Sequence, residues 1–185
     1  MMPPMVAEAR LEQMESGLAP AGPGWFVVNA RDAAWEVHAI GAACFFEGEQ
    51  SPFEQLGVNL RVLWPGRSTW RYHSEGYQED FLVIAGECVL LVDEEERLLK
   101  TWDFVHCPAG TAHAFVATGD GPCIIVMAGA RDAEWPAGIV FPRSDLALRH
   151  GVGVETETTS PDEASAGLPD WRRERPEGWD ELPWA

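Results

Sequence analysis

Residues 65–86 read PGRSTWRYHSEGYQEDFLVIAG and place three groups that can bind a metal or move a proton within seven residues. His73 and Glu75 are two positions apart, so an extended strand points both side chains to the same face. Glu79 follows a short glycine-containing break and leads into residues 81–84, a run typical of a buried strand. The sequence therefore predicts that an imidazole and two carboxylates converge from two neighbouring strands.

A second stretch, residues 102–117, supplies a further imidazole. It reads WDFVHCPAGTAHAFVA, and His113 comes three residues after Gly110, the last residue of a Pro-x-Gly turn. Proline and glycine favour a tight turn, because proline presets φ and glycine adopts a positive φ without steric cost. His113 is therefore a candidate partner for His73 and the two carboxylates.

Together the two stretches resemble the paired sequence motifs of the cupin superfamily. In cupins the first motif runs Gly, five residues, His-x-His, three or four residues, Glu, six residues, Gly. In this chain the order is Gly66, six residues, His73-x-Glu75, three residues, Glu79, six residues and Gly86. Glu75 therefore stands where the family usually has its second histidine.

The second cupin motif runs Gly, five residues, Pro-x-Gly, two residues, His, three residues, Asn. Here Pro108, Gly110 and His113 match it, while Trp102 occupies the first Gly position and Ala117 the Asn position. The resemblance covers residues 56–129. It implies an all-β fold, the cupin double-stranded β-helix or jelly-roll barrel. It implies little about the reaction, because one fold supports many chemistries.

The resemblance also implies one divalent cation, since metal-binding cupins usually hold an ion with three histidines and one glutamate. The corresponding ligands in this chain are His73, Glu75, Glu79 and His113. An alternative register places Tyr72 and Ser74 at the two histidine positions, but their side chains are chemically poorer ligands.

The negative charge of the four candidate ligands supports the presence of a bound cation. Two neutral imidazoles and two carboxylates carry a charge of −2. Without a cation the close carboxylates repel, and one keeps its proton. Mixed imidazole and carboxylate ligands suit Zn, Mn, Fe or Ni. Two alternatives stay open: a metal-free cluster, as in some cupins such as sugar epimerases, and a Glu75 that hydrogen-bonds a ligated histidine instead of binding the ion.

These features indicate a metal-dependent enzyme that acts on a small molecule, with Glu75 or a metal-bound water moving a proton. Dioxygenase and isomerase or lyase reactions both fit. The alternatives are a cupin that binds a small ligand without turnover and one whose ion only stabilises the barrel. An open coordination position favours the first two, and a closed shell of four protein ligands favours the third.

Composition limits the partners and the location of the protein. The chain has 185 residues, 46% of them hydrophobic, and a net charge of −17, so one acidic domain with extensions is expected. Such a charge disfavours nucleic acids and anionic membranes, which require a positive surface. No run is long and apolar enough to span a bilayer, and residues 1–17 lack the apolar core of a signal peptide. We therefore expect a cytoplasmic protein. In that compartment the cysteines are expected to be reduced, and they are expected to be buried as small apolar side chains.

Local patterns divide the chain into an N-terminal arm (1–24), a barrel (25–130) and a C-terminal extension (131–185). Many short strand-like runs separated by turn signals indicate an antiparallel barrel or double-sheet sandwich over the second part. The arm is expected to form one short helix over residues 6–16, with Leu11 and Met14 on one side. In the extension, Ser144 and Ser160 are candidate caps of two short helices.

Residues 56–64 alternate, with apolar side chains on one face and Asn59 and Arg61 on the other. The polar pair could orient an anionic or hydroxylated substrate, although a solvated sheet face is the commoner reason for such a pair. If Glu79 points inward, Phe81 and Val83 do so too and form an apolar floor. The opposite apolar face needs a cover from the arm or a second subunit, and we expect a homodimer.

The C-terminal tail, residues 170–185, contains Trp171, Trp179 and Trp184 among arginine, proline and acidic residues. Disordered tails are poor in aromatic residues, and a buried Trp stabilises a fold as a large core side chain does. The sequence predicts that the tail docks on the barrel, on its own subunit or across the dimer, with Trp171 and Trp179 as anchors.

Overall fold

Eleven β-strands account for most of the regular structure in the computed structural model, which describes residues 5–132, 134 and 137–183. The strands are β1 (Leu11–Gln13), β2 (Leu18–Pro20), β3 (Glu36–His38), β4 (Gly41–Cys44), β5 (Leu56–Leu63), β6 (Glu79–Ala85), β7 (Glu87–Val92), β8 (Glu95–Lys100), β9 (Phe104–Cys107), β10 (His113–Ala117) and β11 (Cys123–Ala130). They are followed by α1 (Asp145–Arg149), α2 (Pro161–Ala164) and a 3₁₀ helix (Trp179–Glu181).

The strands form two larger sheets and a separate hairpin of β1 and β2. The six-stranded sheet has the order β3-β4-β5-β11-β6-β9, and the three-stranded sheet has the order β10-β7-β8. All of these pairs are antiparallel. An apolar core joins the two sheets, with Phe81 and Val83 from the larger and Leu90 and Phe115 from the smaller. The fold is therefore the all-β jelly roll that the sequence predicted.

β5 shows which side of the larger sheet faces this core. Leu63 packs into the core between the sheets, whereas Leu60 and Val62 belong to a second apolar cluster on the opposite side. Because side chains alternate along a strand, Asn59 and Arg61 share the inner side with Leu63. The more apolar face of β5 thus points away from the interior of the barrel.

The chain itself covers this outer face. Ala33 and Trp35, which precede β3, lie in the outer cluster together with Leu182 from the tail. Trp35 is fully buried, and its ring meets that of Trp179 edge-on, with the centroids 5.6 Å apart. On the β6 part of this face, from which we inferred a homodimer, Ile84 packs against the outer cluster, but Leu82 and Ile84 are only half-buried. The homodimer stays a prediction.

The N-terminal arm contradicts the prediction of a helix over residues 6–16. It forms the hairpin of β1 and β2, in which the Met14 N–H donates to the Gly17 carbonyl oxygen across the turn. Gly17 has a φ of 147°, and a side chain there would clash with the carbonyl oxygen of Ala33. Contacts with distant residues therefore determine the structure of the arm, and the helical spacing of Leu11 and Met14 does not.

The two short helices predicted in the extension are present and capped as expected. The Ser144 Oγ accepts a hydrogen bond from the Ala147 N–H at the start of α1. The Ser160 Oγ accepts one from the Glu163 N–H at the start of α2. Serine is favoured at this position because its oxygen satisfies a backbone donor that the helix leaves free.

Two further expectations concern cysteines and membrane spans. The four cysteines are free thiols, and all of them are buried, as expected for small apolar side chains. Within the described ranges, no helix combines the length and the apolar character that crossing a membrane requires.

Candidate metal centre

A backbone bridge holds His73 and His113 side by side. The His73 N–H donates to the His113 carbonyl oxygen at 3.1 Å, and the His113 N–H donates to the His73 carbonyl oxygen at 2.8 Å. Directly opposed residues of an antiparallel pair project their side chains to the same face. Accordingly, the centroids of the two imidazole rings are 5.2 Å apart.

The Pro-x-Gly turn before β10 ties the second motif to the first. Gly110 has a φ of 85°, which a side chain would disfavour, and its N–H donates to the Glu75 carbonyl oxygen at 2.7 Å. The Thr111 N–H closes the turn on the Pro108 carbonyl oxygen. This turn brings His113 to its position opposite the first motif.

Both imidazoles present Nε2 to the same space. The Nδ1 of His73 lies 2.8 Å from the Arg71 carbonyl oxygen, and the Nδ1 of His113 lies 3.0 Å from the Thr111 carbonyl oxygen. A carbonyl oxygen only accepts hydrogen bonds, so each Nδ1 carries a proton. In the neutral ring Nε2 then has a free lone pair, which is the arrangement that metal-binding histidines adopt.

Glu79, the first residue of β6, completes a group of three candidate ligands. Its Oε2 lies 3.5 Å from the Nε2 of His113. One ligand atom from each of His73, Glu79 and His113 lies within 4.8 Å of the other two. The sequence predicted two neighbouring strands as the source of the site. In the structure Glu79 begins β6, whereas His73 and Glu75 lie outside the named strands and His73 forms an isolated bridge with His113. Because β6 belongs to the larger sheet and β10 to the smaller, the site lies where the two sheets meet.

Glu75 lies beside this group. Its Oε1 is 3.7 Å from the Nε2 of His73, and its side chain is 19% exposed. The two-residue spacing in an extended segment accounts for its position on the same side as His73. The structure thus brings all four candidate ligands to one place, with His73, Glu79 and His113 the most tightly grouped.

Burial makes this cluster electrostatically unfavourable without a cation. Burial, followed by repulsion from Glu75, raises the pKa of Glu79 to about 7, although His73 opposes the shift. Burial, followed by the charge of His73, lowers the pKa of His113 to about 4. Burial lowers the pKa of His73 as well, but Glu75, Glu79 and the Arg71 carbonyl together outweigh it and raise that pKa.

The four side chains line part of a cavity of about 280 Å³. This volume is close to the lower end of the range for sites that hold small ligands. Phe81 and Met127 line the apolar part of the wall, and the Phe81 ring lies 5.0 Å from that of His113. Phe81 therefore belongs to the apolar floor that the sequence predicted, while Val83 lies in the core between the sheets.

Asn59 and Arg61 also line the cavity, so the expectation of a solvated sheet face is wrong. The Arg61 Cζ lies 5.1 Å from the ring centroid of Phe45 and 5.2 Å from that of Trp171. The physical reason is the cover on the outer face of β5. Because the segment that precedes β3 and the tail bury the apolar side of this strand, its polar side faces the interior of the barrel.

Trp171 has a role that the sequence did not indicate, since it lines the cavity in addition to anchoring the tail. Its ring stacks on His38, with centroids 4.8 Å apart, and on Trp70, with centroids 6.4 Å apart. The next residue, Arg172, exchanges two backbone hydrogen bonds with Val37 of β3. The aromatic content of the tail signals burial, but no local pattern identifies what the tail covers.

Phe45, Trp70 and Arg131 are further lining residues without a signal in the sequence. Arg131 is held in place by Glu47, whose two carboxylate oxygens lie 2.9 and 3.0 Å from its Nη1. The same nitrogen donates to the Phe53 carbonyl oxygen at 3.0 Å. The charge of Arg131 is therefore already balanced by a neighbouring carboxylate.

Comparisons with known proteins agree with this architecture. A family model described as a cupin domain matches residues 59–129, a range that contains all four candidate ligands. No curated protein matches the chain.

Solved structures with similar folds come from several bacteria. A protein from Silicibacter pomeroyi, described as a sugar phosphate isomerase from a cupin superfamily, is 25% identical to this chain. Its TM-score is 0.50, over 57% of this chain and 75% of that one. An RmlC-like cupin from Shewanella frigidimarina is 15% identical, with a TM-score of 0.49 over 58% of this chain and 91% of that one. KdgF from a Halomonas species is 18% identical, with a TM-score of 0.49 over 60% and 98%.

Proposed function

Because this chain contains a cupin domain whose two motifs meet at a His-Glu-His group, we propose that it binds one divalent cation and acts on a small molecule in the adjoining cavity. His73, Glu79 and His113 are the proposed ligands. Glu75, which lies next to them, is the proposed catalytic residue and the candidate fourth ligand. Zn, Mn, Fe and Ni all suit this mixture of imidazole and carboxylate donors.

The contact between His113 and Glu79 carries the proposal. The Nδ1 of His113 holds the ring proton, so its Nε2 has a lone pair, and the Oε2 of Glu79 lies 3.5 Å away. Two acceptors at this distance repel unless a proton or a cation lies between them. A divalent cation accepts both lone pairs together with that of His73, so the donor set fits a metal ion.

The cavity beside these ligands supports a role beyond stabilising the barrel. A structural metal is usually enclosed by four protein ligands, whereas a catalytic metal keeps one position for water or substrate. His73, Glu79 and His113 all line the cavity, so a ligand bound there has access to the same space as the ion. This arrangement favours ligand binding over a purely structural ion.

A divalent cation bound here would polarise an oxygen atom of the ligand. The residues of the chain supply the remaining functions. Glu75 offers a carboxylate at the cavity wall that can accept a proton from the ligand and return it. Phe81, Met127 and Trp171 line the same space and limit its water content, which strengthens the electrostatic interactions inside it.

Of the reaction classes compatible with the sequence, we favour isomerisation by proton transfer. Glu75 is a suitable group for moving the proton, because it lies beside the proposed ion. The protein from Silicibacter pomeroyi is described as a sugar phosphate isomerase, which is consistent with this class.

Elemental analysis of protein purified without a metal-affinity column tests the proposal. We expect about one divalent transition-metal ion per chain, retained through gel filtration and removed by a chelator. Removing the ion should lower the melting temperature, because a ligand that binds only the folded state stabilises it. A protein that takes up no metal after dialysis against Zn, Mn, Fe and Ni salts contradicts the proposal.

Glu79→Gln is expected to abolish metal binding and yet to stabilise the metal-free protein. The folded-state pKa of Glu79 is about 7, above its ordinary value of 4.5. Stability is therefore lost as pH rises through this window, by at most about 3 kcal/mol above pH 7. The uncharged amide avoids this loss, so in chelator the variant should melt about 5 °C higher than the unmodified protein at about pH 8.

The difference in melting temperature should nearly vanish at about pH 4, below the ordinary value of 4.5, where Glu79 holds its proton in both the folded and the unfolded state. Glu87→Gln is the matched control, because Glu87 is exposed on β7, and it should leave both metal content and melting temperature unchanged. A Glu79→Gln variant that keeps its metal, or that melts below the unmodified protein at both pH values, contradicts the prediction.

A further inference from the structure

Arg61 reaches the cavity from β5, and no other described residue forms a hydrogen bond with its side chain. It takes part in none of the ion pairs found among the described residues, and its Nε and Nη1 are buried there without a hydrogen bond. The Oδ1 of Asn59, two residues away on the same face, is likewise buried without a partner in that part of the chain. Buried polar atoms are normally hydrogen-bonded, and exceptions cluster at functional sites.

Aromatic side chains hold the guanidinium in place. Its Cζ lies over the rings of Phe45 and Trp171, at 5.1 and 5.2 Å from their centroids, and these two rings are inclined at 70° to each other. Such contacts offset part of the cost of burying the charge. They accept no conventional hydrogen bond from the N–H groups, so the donors of Arg61 are held in position for a ligand.

Arg61 supplies the unbalanced charge of the cavity wall. Burial lowers its pKa to about 10, so it stays protonated at neutral pH. Arg131 is neutralised by Glu47. Two neutral histidines, Glu75, Glu79 and a divalent cation sum to zero. The residues that line the metal-loaded cavity therefore carry a net charge of about +1, contributed by Arg61. Glu36 lies outside the cavity lining and acts on this charge without a direct contact, so one negative charge on a ligand can still pair with Arg61.

We propose that Arg61, with Asn59 beside it, binds the carboxylate of a small monoanionic ligand whose other polar group reaches the divalent cation. The second contact rests on the proposed function, whereas the first rests on Arg61 alone. A guanidinium presents a planar fork of N–H donors that a carboxylate meets with two parallel hydrogen bonds. A phosphate group also fits this fork, but as a dianion it exceeds the single positive charge available. The carboxylate is therefore the favoured anion.

The register of the larger sheet indicates how far apart the two contacts are. Gly57 of β5 pairs with Gly129 of β11, which in turn pairs with Glu79 of β6. Arg61 therefore lies two strands from Glu79 across the sheet and four residues from it along the strand direction. With strands about 4.8 Å apart and a rise of about 3.4 Å per residue, the two Cα atoms are roughly 17 Å apart. The two side chains cover much of this distance, and the ligand bridges the rest. The carboxylate and the metal-binding oxygen of the ligand are therefore separated by several carbon atoms.

A series of unbranched ω-hydroxycarboxylates, from glycolate to 6-hydroxyhexanoate, tests this proposal on zinc-loaded full-length protein. Binding is measured by the quenching of tryptophan fluorescence, to which Trp171 contributes, and by the shift in melting temperature. We expect affinity to rise with chain length over the series. Butane-1,4-diol should bind at least about tenfold more weakly than 4-hydroxybutanoate, because it lacks the charge that pairs with Arg61.

Arg61→Met should weaken 4-hydroxybutanoate binding at least about tenfold, and Arg61→Lys should weaken it less, because it keeps the charge but loses the planar fork. Arg61→Met should also raise the melting temperature of the ligand-free protein by a few degrees, since it removes a buried charge that has no hydrogen-bonding partner among the described residues. Arg67→Met is the matched control, because Arg67 is exposed and does not line the cavity.

Three results would overturn the proposal: unchanged binding in Arg61→Met, binding of the diol as tight as that of the hydroxycarboxylate, or no response to any member of the series. Inorganic phosphate that binds more tightly than every carboxylate, in an Arg61-dependent way, would overturn the choice of anion. Metal content, measured separately, shows whether the proposed function has failed, independently of the Arg61 proposal. In chelator-treated protein the Arg61-dependent binding of carboxylates should persist at lower affinity.

Discussion

His113→Ala is expected to reduce the bound divalent metal from about one ion per chain to less than about a tenth of that. The Nε2 of His113 is one of three ligand atoms that lie within 4.8 Å of one another. Loss of residues that only support metal ligands typically costs about 10–100-fold in affinity, so loss of a ligand should cost at least about 100-fold. Elemental analysis after dialysis, together with titration against a chromophoric chelator, measures the effect.

His150→Ala is the matched control for this experiment. His150 follows α1, and its Nε2 lies 3.1 Å from the Oε1 of Glu96. His150 does not line the cavity. We expect this variant to keep its metal. Because His113 is buried against Phe81 and Phe115, His113→Gln provides a second variant that fills more of the same space. Full metal occupancy in both His113 variants would mean that the site lies elsewhere.

Deleting residues 170–185 is expected to lower the melting temperature by roughly 10 °C. Within the described part of this tail, Trp171 packs on His38, Trp179 meets Trp35, and Leu182 is buried. Three such side chains together stabilise a fold by roughly 5 kcal/mol, at about 1.5–3 kcal/mol each with an allowance for partial burial. For a domain of this size each kcal/mol corresponds to about 2–4 °C.

The deletion should also expose Arg61 and red-shift the tryptophan fluorescence, because Trp171 covers the guanidinium and Trp35 loses Trp179. Trp179→Ala should reproduce part of the loss in melting temperature, whereas Trp25→Ala should not, since the Trp25 side chain is half exposed. Trp184 lies outside the described residues and is removed by the same deletion. If the shortened protein melts unchanged and a protease removes the tail early from the full chain, the tail is not docked.

The jelly roll followed from features that short segments carry on their own. The turn at residues 108–110, the alternation in β5 and the apolar run in β6 each depend on neighbours in the sequence, and each is present in the structure. The N-terminal arm is the counterexample. Its helical spacing covers too few residues to form a stable helix alone, and backbone contacts with residues near Ala33 hold it in a hairpin instead.

The candidate metal centre was predictable because motif spacing and strand geometry act together. The resemblance of the two motifs to those of cupins indicated His73, Glu79 and His113, and the alternation of side chains along extended segments accounts for their orientation. The meeting of the two sheets at this site was not predictable, since strand order depends on pairing between distant segments. The same limit applies to Glu75, whose distance from each imidazole depends on how the first motif bends after His73.

The sequence by itself determined the all-β class, because strand-like runs and turn signals depend on local periodicity, and the resemblance of its two motifs to those of cupins indicated the candidate ligands. Only the tertiary structure decided which face of β5 is inside. Alternation separates Arg61 from the apolar residues of its strand but assigns neither face to the interior. The segment that precedes β3 and the tail cover the apolar face, so the guanidinium points into the cavity and Trp171 becomes part of its wall.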